Sequence, residues 1–421
     1  MIESEGFMSR HVAVLGAGMV GVSTGLALLK RGFQVTLIDR REPGRETSYG
    51  NAGIISRYSL FPLNDTSIWK SLPNYLGNTH PALRYKLGYV AANLPWFIRF
   101  LAGATQAGMD ARAPALEGLV ATSCALHRIW IVEAGAQHRI RETGWLKLWR
   151  NEESRAGVER DSRALAAYGL DAPMLNRQEI SGLEPDIAPI FSVGLFHKDS
   201  ASVDSPGQVT AAYAALFAAR GGTIRQEECL GLTQRTDGSW DLRLASGSLA
   251  ADSVVVALGP WSADGLRPLG YNVPLAFERG YHQEFRLGTD GRKLSRPLYD
   301  GDNAYVITPV ENGVRVTTGV ELIDRDAPSN FEQRDLALPH AREILPFGEA
   351  VAEPWRGARP TLPDCLPIIG KAPRHQNLWL GFGHQHMGFT SGPATGEALA
   401  SLINGEKPPY DLKAFRPERY L

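Results

Sequence analysis

Two short apolar runs, residues 11–15 and 34–38, flank the segment Gly16-Ala17-Gly18-Met19-Val20-Gly21 and the apolar stretch that follows it. Read as strand, glycine turn, helix over 18–31 and second strand, this is a β-α-β unit opening a parallel sheet. Gly16 allows the tight turn, Gly18 lets backbone approach a pyrophosphate, and Gly21 permits close packing of helix on strand. The helix N-terminus, with Met19 and Val20 in its first turn, stabilises phosphate charge. Asp39 follows Gly21 by 18 residues, the spacing at which a carboxylate accepts hydrogen bonds from ribose hydroxyls. The unit therefore binds the ADP half of a dinucleotide. Arg40 and Arg41 next to that acid flank the adenine or sit in solvent, since the acid would repel a 2′-phosphate.

At 421 residues the chain is too long for one small core, and two domains are the natural expectation. Lys and Arg (44) balance Asp and Glu (45), which leaves no electrostatic footprint for nucleic acid. Cys124, Cys229 and Cys365 are odd in number and far apart. They suit a reducing, cytoplasmic compartment and argue against a disulfide framework or a zinc site. No His/Cys/Asp/Glu spacing suggests any metal. The apolar stretch 12–29 is interrupted by glycines and leads into a second strand, unlike a secretory signal. The first seven residues read as an extension, with Met8 as an alternative start.

Further along, 205–220 reads as a helix opened by Ser205-Pro206 and closed by Gly221-Gly222. Strands are expected at 240–244 and 253–257. From 274 to 320 the pattern alternates, as in antiparallel sheet. A strand at 378–381 and a helix running through Ile403 close the chain. The simplest architecture is an α/β protein: a discontinuous Rossmann-type dinucleotide domain (8–59, 192–265 and 356–421) with an inserted antiparallel-sheet substrate domain (60–191 and 266–355). The aromatic run 85–101 is too short and broken to span a bilayer. It packs in a core or lies on a membrane surface.

The fingerprint alone does not separate FAD from NAD. Two further blocks do. Small residues at Ser48, Gly50, Asn51, Ala52 and Gly53 suit close approach to a large flat ligand. Near the other end, Gly383-His384-Gln385-His386-Met387-Gly388-Phe389-Thr390 joins a strand to a helix. That helix N-terminus, aimed at a flavin C2=O, would stabilise the charge that develops on reduction.

With these blocks the sequence resembles the D-amino acid oxidase-like superfamily of FAD-dependent oxidoreductases, and within it the bacterial D-amino acid dehydrogenases. The stretches that carry the resemblance are 12–39, 46–56, 204–207, 254–262, 357–370 and 378–403; residues 60–195 resemble the family only loosely. The resemblance implies FAD as cofactor. Ser48, Asn51, Ala52, Gly53 and Ile55 would line the flavin, with Cys229 near the adenine. Gly259 and Trp261 would flank the cofactor, and Gly383, His384, Met387, Gly388, Phe389 and Thr390 would surround the pyrimidine end. Relatives that attach flavin covalently use a cysteine near the Arg359 block. Here Cys365 lies beyond it, after Pro363-Asp364, so FAD is expected to be non-covalent.

Such enzymes oxidise the C–N bond of an amino acid to an imine by hydride transfer to flavin N5, and water then gives the 2-oxo acid. The substrate carboxylate needs a planar cation. Arg359, in Gly357-Ala358-Arg359-Pro360, occupies the position where family members use one. Arg279 and Tyr281, two apart on one strand face, are second candidates. Tyr305 matches a position where relatives place a tyrosine against substrate. His384 and His386 could contact flavin or take a proton. The expectation is oxidative deamination of a D-amino acid or a secondary amino acid such as a D-hydroxyproline. Electrons would pass to a quinone, a protein or oxygen, with peripheral association on the inner membrane as one arrangement. The alternatives are a glycine- or sarcosine-type amine oxidase, an NAD-linked dehydrogenase, or a non-catalytic flavoprotein subunit.

Overall fold

The computed structural model describes residues 10–421; Met8 as a start, and the beginning of the expected domain span 8–59, lie outside the described residues. The β-α-β unit folds as His11–Leu15, helix Met19–Leu29 and Gln34–Asp39. These strands sit inside a six-stranded sheet. Its order is Thr223–Gln226, Gln34–Asp39, His11–Leu15, Ser253–Val256, Leu378–Phe382 and Ile368–Lys371. The first five run parallel and the last is antiparallel to its neighbour. Val12, Val14, Val254, Val255 and Val256 are wholly buried, as a sheet covered on both faces requires.

One face of this sheet is covered by three helices whose contact depends on missing side chains. The first helix packs on Gly388–Asn404 so closely that a Cβ at Gly392 would stand 2.5 Å from Met19 Cγ. At Gly396 it would stand 2.5 Å from the carbonyl carbon of Ser23. Backbone therefore meets backbone, which only glycine permits. The third helix, Pro206–Ala219, is capped by Ser205, whose hydroxyl accepts from Gln208 N at 3.4 Å.

The second layer is an eleven-stranded sheet. Its longest strand, Ala276–Leu287, pairs antiparallel with Gly313–Thr317, Val320–Leu322, Phe347–Ala350 and Trp355–Thr361. Beyond Gly313–Thr317 the order continues through Tyr305–Val310, Leu298–Asp300, Trp145–Trp149, Val193–His197 and Met174–Asn176. The alternation at 274–320 thus forms the antiparallel sheet that the sequence suggests.

The division between domains falls differently from the sequence reading. Helix Gln106–Glu133, assigned by sequence to the substrate domain, packs into the nucleotide-domain core through Leu116, Leu119, Cys124 and Ile131. It is bonded there: Ser123 Oγ accepts from Ala394 N at 3.1 Å, and His127 Nε2 lies 2.9 Å from the Phe389 carbonyl. Among the described residues it is the one helix long and apolar enough to cross a membrane, yet that composition serves this packing. Conversely, Val193–His197 and Trp355–Thr361 belong to the large sheet. Helix packing in the first case and strand pairing in the others, both set by distant partners, decide these placements; local composition does not.

Candidate active site

Between the C-terminal edge of the parallel sheet and one face of the large sheet lies a cavity of about 650 Å3. One end is walled by Cys229, Leu230 and Gly231, the other by His384, His386, Gly388 and Arg359. The glycine turn forms its floor. Gly16 has φ +105°, and a Cβ there would stand 2.3 Å from the Ala257 carbonyl oxygen. A Cβ at Gly21 would stand 1.8 Å from the Gly16 oxygen. Both positions are closed to any other residue. Gly18 instead faces the cavity, where a Cβ would meet nothing nearer than Ser48 Oγ at 3.3 Å.

Asp39 holds this turn from the adjoining strand. Its Oδ2 accepts from Ala17 N at 2.7 Å and its Oδ1 from Arg41 N at 3.0 Å. Burial pushes the carboxyl up while those two N–H groups pull it down. Ser48 Oγ accepts from Met19 N at 3.0 Å, at the helix start where a phosphate would sit. Arg40 stacks on Trp261 at 4.2 Å and pairs with Glu46 at 2.8 Å; Arg325 lies 5.2 Å from the same indole. Met19, Val20, Asn51, Gly259 and Phe389 also line the wall. A glycine turn, an acidic strand end and a second helix start at the far end are the parts an extended dinucleotide needs, so the residues present fit FAD.

Several expected cofactor residues stand just behind the wall rather than on it: Gly21 and Arg41 of the ADP half, and Ala52, Gly53, Ile55, Gly383, Met387 and Thr390 of the flavin half. They tie its parts together. Asn51 Nδ2 donates to the His386 carbonyl at 3.2 Å, Asn51 Oδ1 accepts from Gly53 N at 2.8 Å, and Thr390 Oγ1 donates to the Ile54 carbonyl at 2.9 Å. Arg41 lies 3.1 Å from Glu46, on the outside. Arg315, which sequence reasoning passed over, reaches from the large sheet into this loop. Its Nη1 donates to the carbonyls of Asn51 at 2.7 Å and Tyr49 at 3.2 Å, while Glu284 holds Nη2 at 2.6 Å.

At the far end Arg359 borders the cavity with its Nη1 buried and without a hydrogen-bond partner. Burial lowers its pKa and the cross-strand neighbour Glu278 opposes that, but a guanidinium stays charged. Gly280, beneath it, makes the room: a Cβ there would stand 2.5 Å from Arg359 Nη2. His384 is buried with Nε2 2.9 Å from Thr395 Oγ1, and burial pushes its pKa down to about 3. His386 opens its ring to the cavity, though protein encloses the site. Burial, then the charges of Arg359 and Lys147, push it down to about 4. Both histidines are neutral at ordinary pH.

Two candidates are placed elsewhere. Arg279 does not reach the cavity: it pairs with Glu321 at 3.2 Å and donates to the carbonyls of Ala327 and Pro328, the latter at 2.8 Å. Its side chain lies on the sheet face opposite Arg359, because Arg279 pairs with Ala358 and Glu278 with Arg359. Tyr305 lies in the hydrophobic core of the large sheet and donates to Asp300 Oδ2 at 3.0 Å. Tyr281 borders the cavity, but its hydroxyl donates to Glu321 at 2.6 Å and accepts from Asn330 N at 3.0 Å. These corrections share one cause. Alternation shows which residues share a face, not which face meets the cavity.

Trp355 and Thr317 line the cavity and were missed. Trp355 lies over two glycines: a Cβ on Gly50 would stand 1.7 Å, and on Gly357 2.0 Å, from its ring. The signal was present in Trp355, Gly357 and Arg359, which alternate along one strand and so share a face. Cys365 is buried outside the cavity wall, and its carbonyl accepts from Gln385 Nε2.

Comparison with known proteins agrees with this geometry. The signature of the family described as FAD dependent oxidoreductase (DAO) matches residues 11–402. A D-amino-acid oxidase of Bradyrhizobium diazoefficiens is 32% identical over 98% of this chain and 99% of its own. A D-amino acid dehydrogenase of Paramagnetospirillum magneticum is 27% identical over 97% and 98%. Among solved structures, glycine oxidase from Geobacillus kaustophilus superposes with TM-score 0.73 at 22% identity, covering 98% of this chain and all of that one.

Proposed function

Because the chain belongs to the FAD dependent oxidoreductase (DAO) family and is an FAD enzyme acting on amino acids, we propose that its substrate is a D-amino acid, primary or secondary, which it deaminates oxidatively. The names of its relatives favour that substrate class. The observation that carries the amino-acid part of this reading is Arg359, a buried guanidinium with an unpartnered Nη1 at the cavity end. Buried donors of that kind favour a planar carboxylate, held bidentately.

In this reading the glycine turn, Asp39 and Ser48 hold the ADP half of FAD, and Asn51, His384, Gly388 and Phe389 border its flavin. FAD, when bound, supplies the acceptor for the hydride leaving Cα. The protein's part is orientation. Arg359 fixes the carboxylate, and Trp355 and Thr317 bound the space left for the side chain. His386, neutral and open to the cavity, accepts a hydrogen bond from the substrate amine. With the amine neutral, the two electrons of the Cα–H bond leave with hydrogen as hydride, the nitrogen lone pair forms the new double bond to Cα, and water adds to the resulting iminium to give the 2-oxo acid and ammonium or the protonated amine. The reduced enzyme then passes its electrons to a quinone, a protein carrier or oxygen.

The test is anaerobic mixing of the purified yellow protein with D-amino acids, L-amino acids, glycine, sarcosine and secondary amino acids, following flavin absorbance. Bleaching by D-enantiomers and not by their mirror images is expected. Bleaching by glycine or sarcosine alone, by L-amino acids, or by none of the panel overturns the reading. Oxygen uptake with the best substrate separates oxidase from dehydrogenase.

A further inference from the structure

Half of the large apolar side chains left exposed among the described residues come from one short stretch. Leu63, Trp69, Leu76, Leu87, Leu94 and Ile98 are six of the twelve. Across residues 66–109 there is no Asp or Glu, in a chain that carries 45. Lys70, Lys86 and Arg99 are exposed in that same stretch.

The stretch forms one layer. Helix Ile68–Tyr75 abuts the end of helix Leu94–Ala102, because Trp69 Nε1 donates to the Ala104 carbonyl at 2.8 Å. Tyr85 Oη donates to the Leu76 carbonyl at 2.9 Å, and Asn78 Nδ2 donates to the Tyr85 carbonyl at 2.9 Å. In Leu94–Ala102, Leu94, Ile98 and Ala102 fall one turn apart on the exposed side, while Trp96 is buried and stacks on Phe100 at 5.0 Å. The layer is anchored behind the substrate end of the cavity. Trp96 Nε1 donates to the Thr361 carbonyl at 3.3 Å, on the strand that carries Arg359, and Tyr89 Oη accepts from Phe277 N at 2.8 Å.

Apolar side chains set among cations, in a stretch 66–109 that carries no acid of its own and meets Glu332 through Arg84 at 3.9 Å, are the composition of a surface that meets anionic lipid. We propose that this layer docks the enzyme on an anionic membrane, with Leu76, Leu87 and Ile98 entering the boundary between headgroups and acyl chains. Lys70, Lys86 and Arg99 face the headgroup phosphates. Docking does not depend on which amino acid is oxidised. It brings the cavity's substrate end close to the bilayer, where a lipid-dissolved acceptor would be found.

The test is sedimentation of the FAD-loaded, full-length protein with vesicles. Vesicles of phosphatidylcholine with about one-third phosphatidylglycerol are expected to bind it, pure phosphatidylcholine much less, and added salt should weaken binding. Leu76, Leu87 and Ile98 are 73%, 76% and 58% exposed, so their change to Gln leaves the interior untouched. The triple variant should keep dye-linked turnover and lose vesicle affinity by at least about tenfold. Should the triple variant lose turnover, the pair Lys86→Glu and Arg99→Glu is read instead, with the same loss of binding expected. Failure of the wild type to bind anionic vesicles overturns the proposal, as does unchanged binding by the variants. So does a wild-type dimer that the variants convert to monomer without any vesicle binding, which would make the layer an interface between copies.

Discussion

Gly280 lies directly beneath the guanidinium of Arg359, and a Cβ there would stand 2.5 Å from Nη2 and 2.7 Å from Nη1. The two residues sit on paired strands, Ala276–Leu287 and Trp355–Thr361, so neither can move away without breaking the ladder. Gly280→Ala is expected to displace the guanidinium and weaken its grip on a carboxylate. A charge-assisted hydrogen bond contributes about 1.5–3 kcal/mol, so kcat/KM should fall roughly 10- to 100-fold, mostly through KM. Steady-state kinetics checks this, with flavin content unchanged as the control.

Arg359 and Arg279 make a contrasting pair. Arg359→Ala removes a cation that faces the cavity and is expected to abolish most turnover while the melting temperature changes little. Arg279→Ala strands Glu321, whose side chain is 3% exposed, and breaking such a buried pair costs about 3–5 kcal/mol. Its melting temperature should fall steeply. Thermal unfolding of both variants beside their turnover decides the matter; an Arg279→Ala protein as stable as the wild type would contradict a buried structural pair between Arg279 and Glu321.

Substituting the glycines of the turn should act on cofactor content in a graded way. Gly21→Ala pushes a methyl against the Gly16 oxygen, which would stand 1.8 Å away, whereas Gly18→Ala meets only Ser48 Oγ at 3.3 Å. The first variant is expected to purify without flavin. The second should fold and bind FAD more weakly. The ratio of flavin absorbance to protein absorbance reads both.

Acid stability should carry the mark of the buried histidines. Burial pushes His127 down to about 4 and His384 to about 3, while in the unfolded chain each titrates near its ordinary value of about 6.5. Between those limits the unfolded state binds more protons, so stability rises with pH and is lost as pH falls below about 6.5. Melting temperatures measured down to pH 4.5 should decline, and His384→Gln should flatten the decline.

Cys365 is buried and absent from the cavity wall, and burial raises its thiol pKa. Acid precipitation is therefore expected to release all the flavin into the supernatant. A yellow pellet would show a covalent bond.

What the sequence made legible was local. The turn Gly16–Gly21, the acid at Asp39 and the helix opened by Ser205-Pro206 each lie within one or two adjacent elements, where spacing and residue type suffice. Arg359, which borders the cavity, stood out because the short motif around it resembles that of the family. Arg279 and Tyr305 were misplaced because a strand pattern carries parity but not direction. Only the pairing of Ala276–Leu287 with its distant neighbours fixes which face meets the cavity. Trp355 shares a strand face with Gly357 and Arg359, a local signal, but its contact with Gly50 joins residues far apart in sequence, and that half is not readable from sequence. Helix Gln106–Glu133 was assigned to the wrong layer because its partners, Phe389 and Ala394, come near the end of the chain.

Arg315 bonds the carbonyl of Asn51 across 264 residues of sequence, and Asn51 in turn bonds the His386 carbonyl. During synthesis the glycine turn emerges early, but the loop beside it gains these anchors only once nearly the whole chain has left the ribosome. Cofactor loading is therefore expected to be a late step of biogenesis, and a chain that stops before His386 is expected to trap no FAD. Flavin absorbance of the purified protein would then report that both sheets have been completed and joined.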